Sequence, residues 1–289
     1  MKVKSDITSE FIQTNNITLH VITAGNKDNP LVILLHGFPE FWKGWEKQVD
    51  DFVKAGYYVM VPDQRGYNIS DKPWGVGKYR IDKLAKDIIG LIDHAGKEKA
   101  RICGHDWGAG VAWRLGMEFK DRIEKIVIVN VPHTSTIAKF IIKDKEQRKK
   151  SSYMFKFQIP LIPQWLARRK DYSWLVSALV ETSNEGTFTD KDIEEFKKAW
   201  SQKRAIPCML NWYRAAFRRL PPKVDRYVNC PLLIVWGEND EFLKKEMGEE
   251  SLKYCKNGEI NYISETTHWV LHEKPEIVNP IIVDFLGRV

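Results

Sequence analysis

Continuous runs of apolar residues recur along this chain and alternate with segments of helical character. Such a run is typical of a β-strand that is covered on both faces of its sheet. Strands of this kind, separated by helices, predict a mostly parallel sheet flanked by helices. The first four runs lie at 31–37, 57–63, 100–106 and 125–132. An alternating, strand-like segment precedes them at 17–25, and two further strand patterns follow at 230–240 and 259–269.

The segments between the first four runs contain helical periodicity. Leu84, Ile88 and Leu91 are spaced one helical turn apart, and Gly96 is a suitable end for that helix. A second helix is expected over 109–119, and an amphipathic helix is expected to close the chain. The pattern is therefore that of an α/β protein.

The strand pattern stops after the fourth run. The next 88 residues are helical in character and rich in aromatic and basic side chains, and a pair of prolines follows them. Strand patterns then resume. The sequence predicts one core domain made of residues 1–132 and 221–289, interrupted by a helical cap made of residues 133–220.

Composition limits the function of the chain. Its 289 residues are 43% hydrophobic, which is enough for a sizeable core. The net charge of +7 is concentrated at 139–170, and no nucleic-acid motif accompanies it, so we interpret this segment as a solvated basic face. The four cysteines are widely spaced, which argues against a disulfide framework or a zinc site.

Targeting and membrane segments are not evident in the sequence. The first residues, MKVKSDITSEF, lack the apolar segment of a signal peptide, and no run of about 18 apolar residues occurs. We therefore expect a cytoplasmic protein without stable membrane insertion and without a nucleic-acid partner. Both a monomer and a homodimer are compatible with the sequence.

The third apolar run ends in ICGHDWGAG, with Asp106 at the centre of a Gly-x-Asp-x-Gly frame. This frame is typical of a sharp strand-to-helix turn that presents a nucleophile, usually a serine. A carboxylate that attacks an acyl carbon gives an anhydride, whereas one that displaces a group from saturated carbon gives an ordinary ester. Asp106 therefore indicates an epoxide or an alkyl halide as the electrophile. A structural helix N-cap is the alternative.

An acid and a base follow Asp106 in the chain order expected for such a site. Asp240 and His268 each follow a strand pattern, so both should emerge at the carboxyl edge of the sheet. We expect His268 to deprotonate a water molecule and Asp240 to orient its imidazole. Glu238 and Glu241 are alternatives to Asp240. His272 has the appearance of a surface residue.

The first apolar run ends in His-Gly-Phe-Pro, and this loop can present a backbone N–H group to a developing oxyanion. The N–H of Phe38 is the candidate donor. Trp107, which follows the nucleophile, is expected to supply the second donor. Taken alone, the His-Gly-Phe-Pro stretch is equally compatible with an ordinary turn.

With these motifs the sequence resembles the α/β-hydrolase superfamily and, within it, the soluble epoxide hydrolase subgroup. The resemblance spans nearly the whole chain and is carried by HGFPEFWKGW (36–45), DQRGYNISDKP (63–73), GHDWGAGVAW (104–113), LNWYR (210–214) and THW (267–269). It implies an α/β-hydrolase fold, with a mostly parallel sheet flanked by helices and an inserted helical cap. It also implies that Asp106 is alkylated, that Asp240 and His268 are its charge-relay partners, and that Phe38 and Trp107 supply oxyanion N–H groups.

The resemblance further implies that Tyr213 is the cap tyrosine that protonates the opening epoxide oxygen. The departing alkoxide is strongly basic, and a phenol of pKa about 10 can supply its proton while remaining neutral at working pH. A packing role within the cap helix is the alternative. Tyr153, Phe157 and Trp212 are candidates for the wall of an apolar substrate pocket.

The sequence departs from the family pattern at one place in the cap. Many epoxide hydrolases carry a second cap tyrosine in a Tyr-Phe-Gln stretch, and Lys156 occupies the first position of the matching stretch here. Tyr153 lies about one helical turn earlier. We nevertheless expect Tyr213 to act alone.

The sequence thus predicts a hydrolase that opens hydrophobic epoxides to vicinal diols through a covalent aspartyl ester. Its partners are a small hydrophobic substrate and water, and no metal or organic cofactor is implied. The alternative is a haloalkane or haloacid dehalogenase that uses the same nucleophile. However, Phe38 stands where haloalkane dehalogenases commonly have a halide-binding asparagine, and Trp107 stands where fluoroacetate dehalogenases have an arginine that binds the substrate carboxylate.

Overall fold

A single sheet runs through the computed structural model, which describes residues 5–288. Its strands are β1 (Ile7–Thr14), β2 (Ile17–Ala24), β3 (Leu31–Leu35), β4 (Tyr58–Pro62), β5 (Ala100–His105), β6 (Ile123–Val129), β7 (Leu232–Gly237) and β8 (Gly258–Ile263). They lie in the order β1-β2-β4-β3-β5-β6-β7-β8. β2 is antiparallel to both of its neighbours, and all other pairs are parallel. The prediction of a mostly parallel sheet is confirmed.

Helices connect the strands and cover both faces of the sheet. They are α1 (Glu46–Lys54), α2 (Ile81–His94), α3 (Trp107–Glu118), α4 (Thr134–Lys143), α5 (Lys145–Lys150), α6 (Ser152–Lys156), α7 (Ile162–Arg168), α8 (Ser173–Val180), α9 (Asp190–Ser201), α10 (Ala205–Arg218), α11 (Glu246–Leu252), α12 (Val270–Glu273) and α13 (Pro275–Gly287). The apolar sides of α2 and α3 belong to one buried cluster, and those of α1 and α13 belong to a second. Because both faces are covered in this way, strands β3 and β4 are buried along their whole length.

The segment between β6 and β7 contains helices α4 to α10, and the structure describes no strand within 130–231. Two indole groups fasten this segment to the core. Trp200 Nε1 donates to the Pro39 carbonyl at 2.6 Å, and Trp212 Nε1 donates to the Arg65 carbonyl at 2.9 Å. Both carbonyls follow the carboxyl ends of core strands, so the helices lie over that edge of the sheet. The domain boundaries at 132/133 and 220/221 stay a prediction.

Helix length bears on membrane insertion. The longest helices, α2 and α10, have 14 residues each, whereas a bilayer-spanning helix needs about 20. Among residues 5–288, no helix is long and apolar enough to cross a membrane.

Candidate active site

Asp106 lies at the turn between β5 and α3. Its backbone has φ 47° and ψ −119°, a conformation that is strained for any residue other than glycine. The turn is tight, because a Cβ atom at Gly108 would lie 2.1 Å from the carbonyl oxygen of Leu35. This geometry lifts the Asp106 side chain off the end of the strand and leaves it 17% exposed.

The loop that follows β3 contacts the Asp106 carboxylate directly. The backbone N–H of Phe38 donates to Asp106 Oδ1 at 2.7 Å. This approach requires glycine at the preceding position, because a Cβ atom on Gly37 would lie 2.5 Å from the Asp106 Cβ. The N–H group predicted from the His-Gly-Phe-Pro stretch therefore reaches the Asp106 carboxylate. Trp107 is the first residue of α3, and its role as the second donor stays a prediction.

His268 lies between two carboxylates. Its Nε2 is 3.7 Å from Asp106 Oδ2, and its Nδ1 is 2.7 Å from Asp240 Oδ2. Burial lowers the pKa of the imidazole, but the charges of Asp240 and Asp106 outweigh burial and raise this pKa to about 10. In the free protein at neutral pH, the ring is therefore an imidazolium held by both carboxylates.

Asp240 is held by groups that also fix its charge. Its Oδ1 accepts backbone N–H groups from Phe242 at 2.7 Å and from Leu243 at 2.9 Å. Burial alone would raise the pKa of Asp240, yet His268 and the hydrogen bonds lower it. Of the three acidic residues considered from the sequence, Asp240 is the one whose carboxylate contacts the imidazole. Glu238 is instead paired with Lys245 at 3.1 Å.

Asn130, at the end of β6, supports Asp240 in a way that periodicity does not reveal. Its Nδ2 donates to Asp240 Oδ2 at 2.8 Å, and its Oδ1 accepts the N–H of Gly237 at 3.0 Å. The amide therefore joins the carboxyl ends of β6 and β7. Asn130 has φ 51°, the left-handed conformation that asparagine tolerates better than most residues.

A buried network around Glu40 lies beneath Asp106. Glu40 is fully buried, and its Oε2 accepts the N–H of Gly37 at 3.1 Å and lies 2.9 Å from His105 Nδ1. Its Oε1 lies 2.8 Å from His272 Nε2. The ring of His105 in turn contacts the backbone carbonyl of His268, with Nε2 at 2.9 Å. One carboxylate thus links the loop that carries Phe38, the neighbour of Asp106 and the segment that carries the base.

One feature of this network differs from the sequence-based expectation. His272 was expected at the surface, but it is buried against Glu40, so that expectation is wrong. Burial opposes ionisation of Glu40, yet His105 and His272 hold its pKa well below the usual range. The one indication in the sequence is an acidic residue inside the apolar stretch FPEFW.

We expect Glu40→Gln to destabilise the fold by about 3–5 kcal/mol, the usual cost of removing one partner from a buried ion pair. The glutamine amide keeps the size of the side chain, but its N–H groups face partners that are themselves hydrogen-bond donors. Because the folded pKa of Glu40 is depressed, its stabilisation is present above the unfolded pKa of about 4.3 and is lost as pH falls through the folded value. Urea unfolding at several pH values measures this difference.

Glu124→Gln is the matched control for that variant. Glu124 pairs with Arg101 at 2.6 Å but is partly exposed, so its loss should cost less than about 1 kcal/mol. Equal stability of wild type and Glu40→Gln at neutral pH would show that the network does not stabilise the fold.

On the cap side, α10 places Tyr213 above the turn between β5 and α3 that carries Asp106. The Tyr213 ring is buried, and it contacts the rings of Phe38, Trp107 and Phe157 edge-on, with centroids 5.3, 4.9 and 4.8 Å away. Edge-to-face packing of this kind fixes ring orientation. Because Phe38 and Trp107 flank Asp106, the Tyr213 ring belongs to the same site as this carboxylate.

Tyr153, on α6, reaches the same site. Its ring centroid is 6.0 Å from that of Tyr213. Burial and the charge on Asp106 raise the pKa of Tyr153, and a hydrogen bond with Tyr213 opposes this rise. Lys156 is exposed on the outside of the cap. Tyr153, and not Lys156, is therefore the neighbour of Tyr213. The expectation that Tyr213 acts alone stays a prediction.

The other two pocket candidates are placed differently. Phe157 is buried between Phe38 and Tyr213, with a ring centroid 5.9 Å from that of Phe38. Trp212 contacts Trp107 at 5.8 Å, but its N–H is bonded to the core carbonyl described above. Phe157 thus lines the space above Asp106, while Trp212 fastens the cap. Their contact with substrate stays a prediction.

Comparisons with known proteins agree with this geometry. A family model described as the alpha/beta hydrolase fold matches residues 30–275. The AB hydrolase superfamily protein YfhM of Bacillus subtilis is 44% identical over 277 residues, which are 96% of this chain and 97% of that protein. Human epoxide hydrolase 4 is 36% identical over 281 residues, covering 95% of this chain and 77% of the human protein.

A solved structure is similar over nearly the same range. The epoxide hydrolase of Bacillus megaterium, crystallised with an inhibitor, superimposes with a TM-score of 0.88 and 31% identity, over 96% of this chain and 100% of that one. Sequence, fold and site geometry therefore point to the same group of proteins. The chain belongs to the α/β-hydrolase family, and within that family it is an epoxide hydrolase-like enzyme.

Proposed function

We propose that this protein hydrolyses epoxides to vicinal diols through a covalent ester on Asp106. One arrangement carries the proposal. His268 lies 3.7 Å from the Asp106 carboxylate, and the ring of Tyr213, with Tyr153 beside it, packs on Phe38 and Trp107, the residues that flank this carboxylate. An epoxide needs a nucleophile for its carbon, a proton for its oxygen and a base for the later water. Relatives that are named epoxide hydrolases support the same reaction class.

In the first step, an oxygen of Asp106 attacks a ring carbon, and the bond from that carbon to the epoxide oxygen breaks. The departing oxygen takes a proton from the phenol of Tyr213 or Tyr153, which leaves a phenolate and a hydroxyalkyl ester. Burial and the charge on Asp106 raise the pKa of both phenols, so they remain protonated at neutral pH and keep the proton until the alkoxide forms.

In the second step, the imidazolium of His268 first gives its proton to the tyrosine phenolate. Water then attacks the ester carbonyl carbon while the neutral imidazole takes one of its protons. The Phe38 N–H is placed to donate to the oxyanion that develops on Asp106. Collapse of the tetrahedral intermediate breaks the carbon–oxygen bond to the alkyl group, and the leaving alkoxide takes the proton from His268. The Asp106 carboxyl proton then passes to His268, which restores the carboxylate and the imidazolium of the free protein.

The charge state of His268 changes between the two steps. In the free protein, Asp240 and Asp106 together raise the pKa of the imidazole to about 10. Esterification removes the negative charge of Asp106, and the pKa of His268 then falls because only Asp240 supports the imidazolium. The imidazole therefore becomes available as a base when the ester that needs hydrolysis has formed.

Product analysis with a small panel of compounds tests the proposed reaction. We expect styrene oxide and related apolar epoxides to give diols without release of acid. Chloroalkanes and fluoroacetate should give neither halide nor acid, because Phe38 supplies no side-chain donor for a halide. Halide release with acidification, and no diol, would identify a dehalogenase instead. A chain that turns over no member of the panel would contradict both assignments.

A further inference from the structure

The outer surface of the cap carries a cluster of exposed apolar side chains. We define the outer cap patch as Phe155, Ile159, Leu161, Ile162, Trp165, Leu166 and Phe217. Helix α7 contributes three of these side chains, and its burial pattern is the reverse of that of an ordinary surface helix. Its buried residues are Pro163 and Ala167, whereas its large apolar side chains point outward, with Trp165 57% exposed.

Contacts join the patch into one surface. The rings of Phe155 and Phe217 lie 5.3 Å apart, which connects α6 to the end of α10. Arg214, on α10, donates through Nη2 to the Ile159 carbonyl at 2.9 Å. This bond attaches the loop after α6 to α10. The backbone N–H of Trp165 donates to the Leu161 carbonyl at 3.0 Å. Exposed apolar surface that is contiguous in this way is typical of an interaction site.

Leu161 lies at the tip of this surface in an unfavourable conformation. It has φ 63° and ψ −40°, and its side chain is 78% exposed. A left-handed backbone is costly for leucine, and exposure of its side chain to water is a second cost. Neither cost is offset by burial within the chain, which points to an external partner.

Basic side chains surround the patch. The exposed members are Lys156, Arg168, Arg169, Lys170, Arg218 and Arg219. No acidic group lies within 4 Å of their charged atoms among residues 5–288. The guanidinium of Arg169 lies 4.4 Å from the centroid of the Trp165 ring, so charged and apolar groups are directly adjacent.

Positive charge is concentrated in the two segments of the sequence that contain the outer cap patch. Residues 147–170 include seven basic residues and no acidic one, and residues 196–224 include eight and none. All 38 acidic residues lie outside these two segments, together with only 30 of the 45 basic ones. The rest of the protein is therefore net negative, and the field orients the cap toward an anionic partner.

We propose that the outer cap patch docks this protein onto membranes that contain anionic lipids. A second copy of the chain would bring the same basic groups face to face, which charge repulsion disfavours. An anionic bilayer instead offers phosphate groups to the arginines and lysines, and hydrocarbon to Leu161 and Trp165. Helix α6, which carries Tyr153 toward the site, carries Phe155 on this docked face.

Vesicle co-sedimentation of the full chain tests the proposal. We expect binding to phosphatidylcholine vesicles that contain about 30% phosphatidylglycerol, little binding to pure phosphatidylcholine, and strong weakening at about 0.5 M salt. Leu161→Ser combined with Trp165→Ser should lower the binding constant about tenfold or more. Phe11→Ser is the matched control, because Phe11 is 62% exposed on strand β1, far along the chain from the cap.

Charge reversal provides a second, independent test of vesicle binding. Arg168→Glu combined with Arg169→Glu should lower the binding constant at least about tenfold, since each basic group near an anionic surface contributes to affinity. Lys86→Glu combined with Lys99→Glu, at exposed positions on the core, is the control and should retain most of the affinity.

A conservative variant keeps the proposal testable if the serine variant fails to fold. Brominated lipid chains should quench part of the tryptophan fluorescence of the wild type, and Trp165→Phe should remove that part, whereas Trp74→Phe should not. Three results would overturn the proposal: equal binding to uncharged vesicles, no binding to anionic vesicles, or a patch-dependent dimer in solution that does not bind lipid. None of these readouts depends on the chemistry of Asp106.

Discussion

Replacement of His268 by glutamine is expected to stop turnover while leaving the first half of the reaction intact. The Asp106 carboxylate, the Phe38 N–H that contacts it and both phenols remain in place, so the ester still forms. Without the imidazole, no group is positioned to take a proton from the attacking water. Loss of a general base of this kind slows a step by about 10²–10⁴-fold, and the ester should therefore accumulate.

Intact-protein mass spectrometry measures this accumulation. The His268→Gln variant should gain the mass of one epoxide, and the modified peptide should contain Asp106. His94→Gln, at an exposed position on α2, is the matched control and should turn over normally without a stable adduct. A His268→Gln variant that keeps wild-type turnover would contradict the assignment of the base.

Removal of both cap phenols should have the second large effect. In Tyr153→Phe combined with Tyr213→Phe, the rings keep their packing but the alkoxide has no proton donor. We expect ester formation to slow by about 10²–10⁴-fold, the range for general acid catalysis. On a logarithmic scale, each single variant should slow ester formation by less than half as much as the double variant does. The reason is that the two hydroxyl groups interact and one can replace the other. Single-turnover rates of adduct formation measure it.

Lys156→Ala is the control that distinguishes the two interpretations of the cap. Lys156 matches the tyrosine position of the family stretch in sequence, but it is exposed, so its loss should leave ester formation unchanged. If Tyr153→Phe matches the wild type while Tyr213→Phe alone abolishes the step, Tyr213 acts alone, as the sequence predicted.

The core of the site was predictable because it depends on local patterns and on one rule of topology. Asp106 follows a buried strand and starts a helix, and Asp240 and His268 follow two other strands. The carboxyl ends of parallel strands meet at one edge of a sheet, so the three side chains converge wherever the strand order allows it. The strands β5, β6, β7 and β8 are neighbours in the sheet, so the strand order allows this convergence.

The parts that sequence patterns could not settle depend on packing between distant segments. Glu40 and His272 are 232 residues apart, and their burial follows from the way α12 packs under the loop after β3. Tyr153 and Lys156 lie on a helix of five residues, too short for periodicity to show which side faces the core. Tertiary contacts with Tyr213 and Phe157 decide that orientation.

A single turnover in water labelled with oxygen-18 tests the central claim most directly, with enzyme in excess over epoxide. If Asp106 forms an ester and water attacks its carbonyl carbon, the diol carries an unlabelled oxygen from the carboxylate. The peptide that contains Asp106 then gains one oxygen-18. Label in the diol after the first turnover, with none in Asp106, would mean that water attacks the epoxide directly and that Asp106 is not the nucleophile.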